Sequence, residues 1–290
     1  MPTPEPTHLY SHYAMATRFS IRIHHSDKIY AAQFAQAIFE QIDALENTLS
    51  RFVEHSEVSR FNRWPPEKPF FASDEVFRCI ELAESVRVLS GGAFDICLRQ
   101  GFPANPSDQP RVVLDHSSQA ITRTHEFVKV DLGGIGKGMA MESVRGIADE
   151  WEIADWIAHG GFSSVLAMGS ANEDQQGWPV RLAGNTTRTL HLVDQAIGAS
   201  GTEEKGTHIF DPRSGKAETL HSRIWVVGPN AAIADALSTA FMLLDEATIR
   251  NMLEHYASYA CIIDSPAVHA ADPSILRSRE IDIDHSLHLA

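Results

Sequence analysis

Cysteine is scarce in this chain, with only Cys79, Cys97 and Cys261 among 290 residues. No two of them form a CxxC pair, and an odd, scattered set gives neither a disulfide framework nor a thiolate metal site. A long apolar run is also missing, since no stretch approaches the ~20 residues that cross a bilayer as a helix. The start of the chain, Met1-Pro2-Thr3-Pro4-Glu5-Pro6, has no basic segment leading into an apolar one, so a secretory leader is not expected. These absences point to a cytoplasmic protein without stable membrane insertion. Cations are few as well: 24 Lys and Arg face 38 Asp and Glu, a formal net charge of -14. That balance is unsuited to non-specific binding of nucleic acid or of an anionic membrane. It also means that a polyphosphate ligand needs local help from a metal ion, a helix N-terminus or a few placed cations. Internal repeats and low-complexity tracts are absent.

What is present is ordinary for a globular chain, with 43% hydrophobic and 21% charged residues. The length suits one large domain or two small lobes intimately joined. Residues 1–12 read as a flexible lead and residues 266–290 as a polar tail. Thr17 to Ile23 alternates, with Phe19, Ile21 and Ile23 on one face, as a half-buried strand does. Phe34, Ile38, Ile42, Leu45 and Leu49 form one apolar helical stripe. Ser73 is placed to cap a second helix running to about Leu89, before Gly91-Gly92. Further strands are expected at Phe127–Leu132, Ser164–Met168 and Arg223–Val227, with helices from about Lys137 to Trp151 and from Ala231 to Leu244. Helices and strands mix without a βαβ repeat, so the class expected is α+β.

Three features carry chemistry. Asp131-Leu132-Gly133-Gly134-Ile135-Gly136-Lys137-Gly138 joins a strand to a helix, a geometry that offers backbone N–H groups to phosphate. It fails the Walker A pattern, because Asp131 and Gly138 stand where that loop needs glycine and Ser or Thr. It fails the GxGxxG fingerprint at Met139. On pattern alone, a tight turn packed under another element is an equal reading. Asp235 and Thr239 lie four residues apart on an otherwise apolar helix, one carboxylate and one hydroxyl on a single face, which suits magnesium beside phosphates. The competing reading is that Asp235 caps a helix that begins near Ala236. Last, Thr207-His208-Ile209-Phe210-Asp211-Pro212-Arg213-Ser214-Gly215 ends a short strand in a turn, and His208 has the titration range of a general base. With 15 histidines in the chain, spacing alone does not select it.

Taken in order, these segments resemble the ApbE-like family, the FAD:protein FMN transferases. The likeness also runs through Tyr13-Ala14-Met15-Ala16-Thr17, Leu49-Ser50-Arg51-Phe52, Ser56-Glu57-Val58-Ser59-Arg60-Phe61-Asn62, Gly91-Gly92-Ala93-Phe94-Asp95, Gly160-Gly161, Ala199-Ser200-Gly201 and Ala234-Asp235-Ala236-Leu237-Ser238-Thr239. Each piece is short, but their order and spacing together are specific. The resemblance implies a two-lobed, T-fold-related α+β architecture over residues 13–265, with mixed, mainly antiparallel sheets and packed helices. It implies Mg2+ and FAD, the latter as substrate: the pyrophosphate is cleaved, AMP leaves, and FMN joins a Ser or Thr hydroxyl of an acceptor flavoprotein. Carried over by position, the metal ligands are Asp235, Thr239 and the carbonyl of Gly136, and His208 is catalytic. Gly133, Gly134 and Lys137 lie along the dinucleotide, while Met15, Glu57, Asn62 and Asp95 belong to segments that shape the FAD pocket. The chain departs from the family's usual residues at Gly136, Met139, Glu142, Phe162 and Ala199, of which Met139, Phe162 and Ala199 belong to segments near the flavin or the acceptor. The acceptor expected is cytoplasmic or membrane-bound facing the cytoplasm. An FAD pyrophosphatase and a non-catalytic flavin-binding module are the alternatives.

Overall fold

A computed structural model describes residues 6–98, 111–171, 176–182, 188–202, 209–217, 219–264, 274–277 and 288–289. The chain opens with strands β1 (Thr7–Ala14) and β2 (Thr17–His24), then α1 (Lys28–Leu49), α2 (Glu57–Arg63), β3 (Phe70–Phe71) and α3 (Asp74–Leu89). The short strands β4 (Cys97–Leu98), β5 (Val112–Asp115), β6 (Ala120–Arg123) and β7 (Lys129–Val130) precede α4 (Gly136–Glu150). Next come β8 (Trp156–Gly160), β9 (Ser164–Met168), β10 (Trp178–Leu182), β11 (Arg188–Leu192), β12 (Gln195–Gly201) and β13 (Arg223–Gly228). The last elements are α5 (Ala231–Phe241), α6 (Glu246–His255), β14 (Ala260–Asp264), β15 (Ser274–Arg277) and β16 (His288–Leu289).

Among the described residues, eight strands form the main sheet in the order β1-β2-β8-β9-β12-β13-β14-β15. Every strand pairing among the described residues is antiparallel. The α+β class read from the sequence is therefore observed. Alternation divides each strand between two faces. Phe19, Ile21, Trp156, Leu166, Ile224 and Val226 point to one face and pack beneath the helices. Ile157, Val165, Ile197, Trp225 and Val227 point to the other face, where the sheet β10-β11-β16 covers them. The described residues thus form two cores separated by one sheet.

Close backbone approach fixes the helices on the sheet. A Cβ at Gly198 would fall 2.2 Å from the Ala234 carbonyl carbon, and one at Gly138 would fall 2.3 Å from the Ala231 carbonyl oxygen. Small residues at these two points let α5 lie against β12 on one side and α4 on the other.

Some elements differ from the sequence reading. Residues 7–12 were expected in the lead, yet they pair with β2 residue by residue as most of β1. Two described pieces of the expected tail pair as well, β15 with β14 and β16 with β11. The strand expected at Phe127–Leu132 shortens to β7, and the Asn62 side-chain amide occupies both backbone groups of Val130 at 2.8 and 2.7 Å. The helix expected to Leu244 ends at Phe241, and α2 and α6 are additions.

Candidate active site

The site is built at the N-terminus of α4. Its N-cap residue, Ile135, has no side chain able to accept the free N–H groups of the first turn. The acceptor comes instead from α5: the Gly138 N–H donates to Asp235 Oδ2 at 3.0 Å. The Ser164 hydroxyl, on β9, donates to Asp235 Oδ1 at 3.1 Å. Lys137 Nζ stands 3.7 Å from Oδ2. Asp235 does not cap its own helix, because Asn230 accepts from the Ile233 N–H and starts α5 there. Asp235 is only 3% exposed, and burial pushes its pKa up against the opposing influence of Lys137 and the two hydrogen bonds. A buried carboxylate under this penalty gains from any further cation brought to it.

One turn along α5, Thr239 Oγ1 donates to the Asp235 carbonyl at 3.3 Å. The Ser200 hydroxyl, on β12, lies 3.3 Å from Thr239 Oγ1 and 2.9 Å from Ser238 Oγ. The glycine turn closes against this face. A Cβ at Gly134 would lie 3.0 Å from the Phe94 ring and 3.8 Å from Thr239 Oγ1, so the turn and α5 nearly touch. The Gly133 N–H donates to Asp131 Oδ1 at 2.9 Å, and Arg51 Nε binds Asp131 Oδ2 at 2.7 Å. Gly133, Gly134, Gly136, Lys137, Asp235 and Thr239 all line one cleft of about 2020 Å3. That volume exceeds the ~300–1,000 Å3 common for a single small ligand.

Met15 and Asp95 line the same cleft. Met15 and Ala16 form the two-residue turn between β1 and β2 with φ of 49° and 56°. Neither is Gly or Asn, so the turn holds left-handed strain at the cleft wall. Asp95 accepts from the Cys97 N–H at 2.8 Å and pairs with Arg111, which braces the loop after α3. Glu57 and Asn62 do not line the cleft among the described residues. Glu57 accepts from the Ser73 N–H at 2.6 Å and so joins the starts of α2 and α3, while Asn62 clamps β7. His208 lies outside the described residues. Its neighbours Ile209, Phe210, Asp211 and Pro212 line the cleft. Arg213 holds this segment in place, its guanidinium on Asp211 at 2.8 Å and on the Leu243 carbonyl at 3.0 Å. Sequence reasoning missed Ser164 and Ser200 as partners of the α5 pair, since their facing depends on strand alternation and on which helix lies behind.

The donor set limits what ion could be held. Among the described residues no cluster of three His, Cys, Asp or Glu side chains is poised for a metal. One carboxylate, one hydroxyl and turn carbonyls remain, a set that fits a hard cation keeping its waters and sharing phosphate oxygens. It does not fit zinc, which takes a closed shell of N and S ligands or three protein ligands.

Comparison with known proteins gives this arrangement a context. The sequence profile of the ApbE family matches residues 15–263. The chain belongs to the ApbE family. A relative named FAD:protein FMN transferase from Chlamydia pneumoniae is 25% identical over 254 residues, 76% of this chain and 78% of the relative. One of the same name from Salmonella typhimurium is 24% identical over 271 residues, covering 79% and 76%. Among solved structures, flavin transferase ApbE from Vibrio cholerae superposes with a TM-score of 0.78 at 20% identity, over 94% of this chain and 98% of that one. The ApbE protein of Thermotoga maritima gives 0.77 at 23% identity, over 94% and 97%. These two likenesses establish the shared family fold, and the cleft residues from Met15 to Leu243 lie within the span that the family profile matches.

Proposed function

We propose that this ApbE-family transferase moves FMN from FAD to a Ser or Thr hydroxyl of an acceptor protein, with Mg2+ and with release of AMP. Flavin transfer to protein is the activity carried in its relatives' names. The observation that carries the finer reading is the buried Asp235 carboxylate facing both the N-terminus of α4 and Lys137. Magnesium would be held by Asp235, Thr239 and the Gly136 carbonyl, and when bound it neutralises charge on the pyrophosphate oxygens.

The residues of the chain do the rest. The start of α4 presents its positive end to the dinucleotide, with Gly133 and Gly134 free of side chains that would keep the phosphates away. Lys137 supplies a cation at the same point, and Ser200 steadies the Thr239 hydroxyl. Met15 and Asp95 belong to the walls that receive FAD, and Glu57 and Asn62 hold those walls in place. The acceptor hydroxyl attacks the FMN phosphorus, the bond to the bridging oxygen breaks, and that oxygen leaves with AMP. The hydroxyl proton passes to His208, the base in this reading. Localisation in the cytoplasm is part of the proposal; no helix among the described residues is long and apolar enough to cross a membrane.

The test is to incubate the protein with FAD, MgCl2 and candidate acceptors bearing an exposed Ser or Thr. A fluorescent flavin band that survives denaturing electrophoresis, with equimolar AMP, is the expected result. AMP and free FMN without any labelled protein would replace the transferase by a pyrophosphatase. FAD retention with no AMP at all would leave a binding module.

A further inference from the structure

The face of the main sheet turned away from the helices holds a feature that the pyrophosphate site does not use. Strand alternation that buries Phe19, Ile21 and Ile23 sends Arg18 and Arg22 to the opposite face. In the pairing of β1 with β2, Arg22 stands beside Leu9 and Arg18 beside Tyr13. The small sheet covers the middle of this face but leaves β1 and β2 open, with Leu9 60% and Tyr13 71% exposed. Its outer strand β10 borders the opening and brings Arg181 to the cleft. The result is a groove walled by strands on both sides, floored by His159 and Val165, and continuous with the cleft.

Its charge is opposite to that of the molecule. Every described carboxylate lining the cleft (Glu46, Asp95, Asp131, Asp211 and Asp235) comes from a helix or a loop beside the helices. Among the described residues no carboxylate lies within ion-pair distance of Arg18, Arg22 or Arg181. In a chain of net charge -14, a local cationic strip both attracts an acidic partner and fixes where it docks, because the rest of the surface repels it. Burial and the neighbouring Arg22 lower the His159 pKa to about 4, so the groove's charge near neutrality is that of the arginines.

We propose that the groove between β2 and β10 docks an extended, acidic segment of the acceptor protein and so feeds the acceptor hydroxyl into the cleft. This rests on the flavin-transfer reading. Extended chain suits a channel with strand walls, and the exposed Leu9 and Tyr13 offer apolar contact for alternate side chains.

The full-length protein and its Arg22→Glu/Arg181→Glu variant are titrated with a fluorescein-labelled peptide holding a central threonine among aspartates and glutamates. A peptide with lysines in place of the acids is the control. The acidic peptide is expected to bind the wild type, with affinity falling as salt rises from about 50 to about 300 mM. The double variant should weaken binding, and raise the KM for the peptide as FMN acceptor, by about tenfold or more. FAD affinity and kcat should hold, and Arg22→Lys/Arg181→Lys should restore binding. Equal binding of acidic and basic peptides, or no change in the double variant, overturns the proposal. So does a loss of FAD affinity with unchanged peptide binding, since the arginines would then serve the dinucleotide. If the wild type binds no FAD, the transferase reading fails, while peptide binding still decides the groove.

Discussion

Asp235 closes the first turn of α4 and, in the proposed reaction, binds magnesium, and the two duties separate in one variant. An Asn at 235 keeps an oxygen for the Gly138 N–H, and the Ser164 hydroxyl reverses to accept from the amide. Asp235→Asn should therefore fold, with its circular dichroism unchanged, but lose about 100-fold or more in magnesium-dependent AMP release. Near wild-type release would remove Asp235 from the metal site. His159 allows a test of pH linkage. Its folded pKa of about 4 lies below the ordinary 6.5 because the neutral form is favoured by burial, and Arg22 adds to this. As pH falls through 6.5 the unfolded chain takes up a proton that the folded chain refuses, so stability drops between 6.5 and about 4. The loss is on the order of 2–3 kcal/mol. Urea midpoints at the two ends of that window should converge for His159→Gln once the shared carboxylate titration is subtracted. At this scale, the Asp235 and Thr239 pair was legible as one face of one helix. The roles of Glu57 and Asn62 were not, because each binds a backbone group of an element far along the chain.

At the scale of elements, the contact between α4 and α5 depends on a missing side chain. Gly138→Ala would force a methyl to within 2.3 Å of the Ala231 carbonyl oxygen, where the nearest atoms are all backbone and no flexible side chain can give way. The expected cost is about 3 kcal/mol. For a chain of this size that is a fall in melting temperature of roughly 6–10 °C, read by calorimetry. An unchanged melting temperature would mean that the two helices slide apart freely. The helices and strands with long periodic patterns, α1, α3, β2, β9 and β13, could be placed from sequence alone. Short ones could not. The seven residues of α2 are too few for a helical period, and its signal is the Ser56 cap with Phe61 buried. In α6 the cue was Asp245 accepting from the Thr248 N–H ahead of Ile249, Met252 and Leu253. Strand β12 is rich in Gly, Ala and Ser, residues poor in β-propensity, because α5 must approach it closely.

For the whole molecule, ligand binding and stability are linked. If magnesium and FAD bind the folded cleft alone, each at about 100 times its Kd, each contributes about 2.7 kcal/mol. The melting temperature should rise by several degrees with both present, and EDTA should cancel the part due to the metal. FAD that gives the same shift with and without EDTA would argue for a site independent of magnesium. The two cores with one sheet between them could be foreseen only in class, since no local pattern says which strands a second sheet will cover. The hydrogen bond from Gly138 to Asp235 spans 97 residues of sequence. The first turn of α4 is thus completed by a residue synthesised long after it, and only once α5 has docked. Such a distant contact forms late in folding. In the proposed reaction, a growing chain therefore lacks a complete cleft until α5 has docked, and a partly made protein cannot consume FAD.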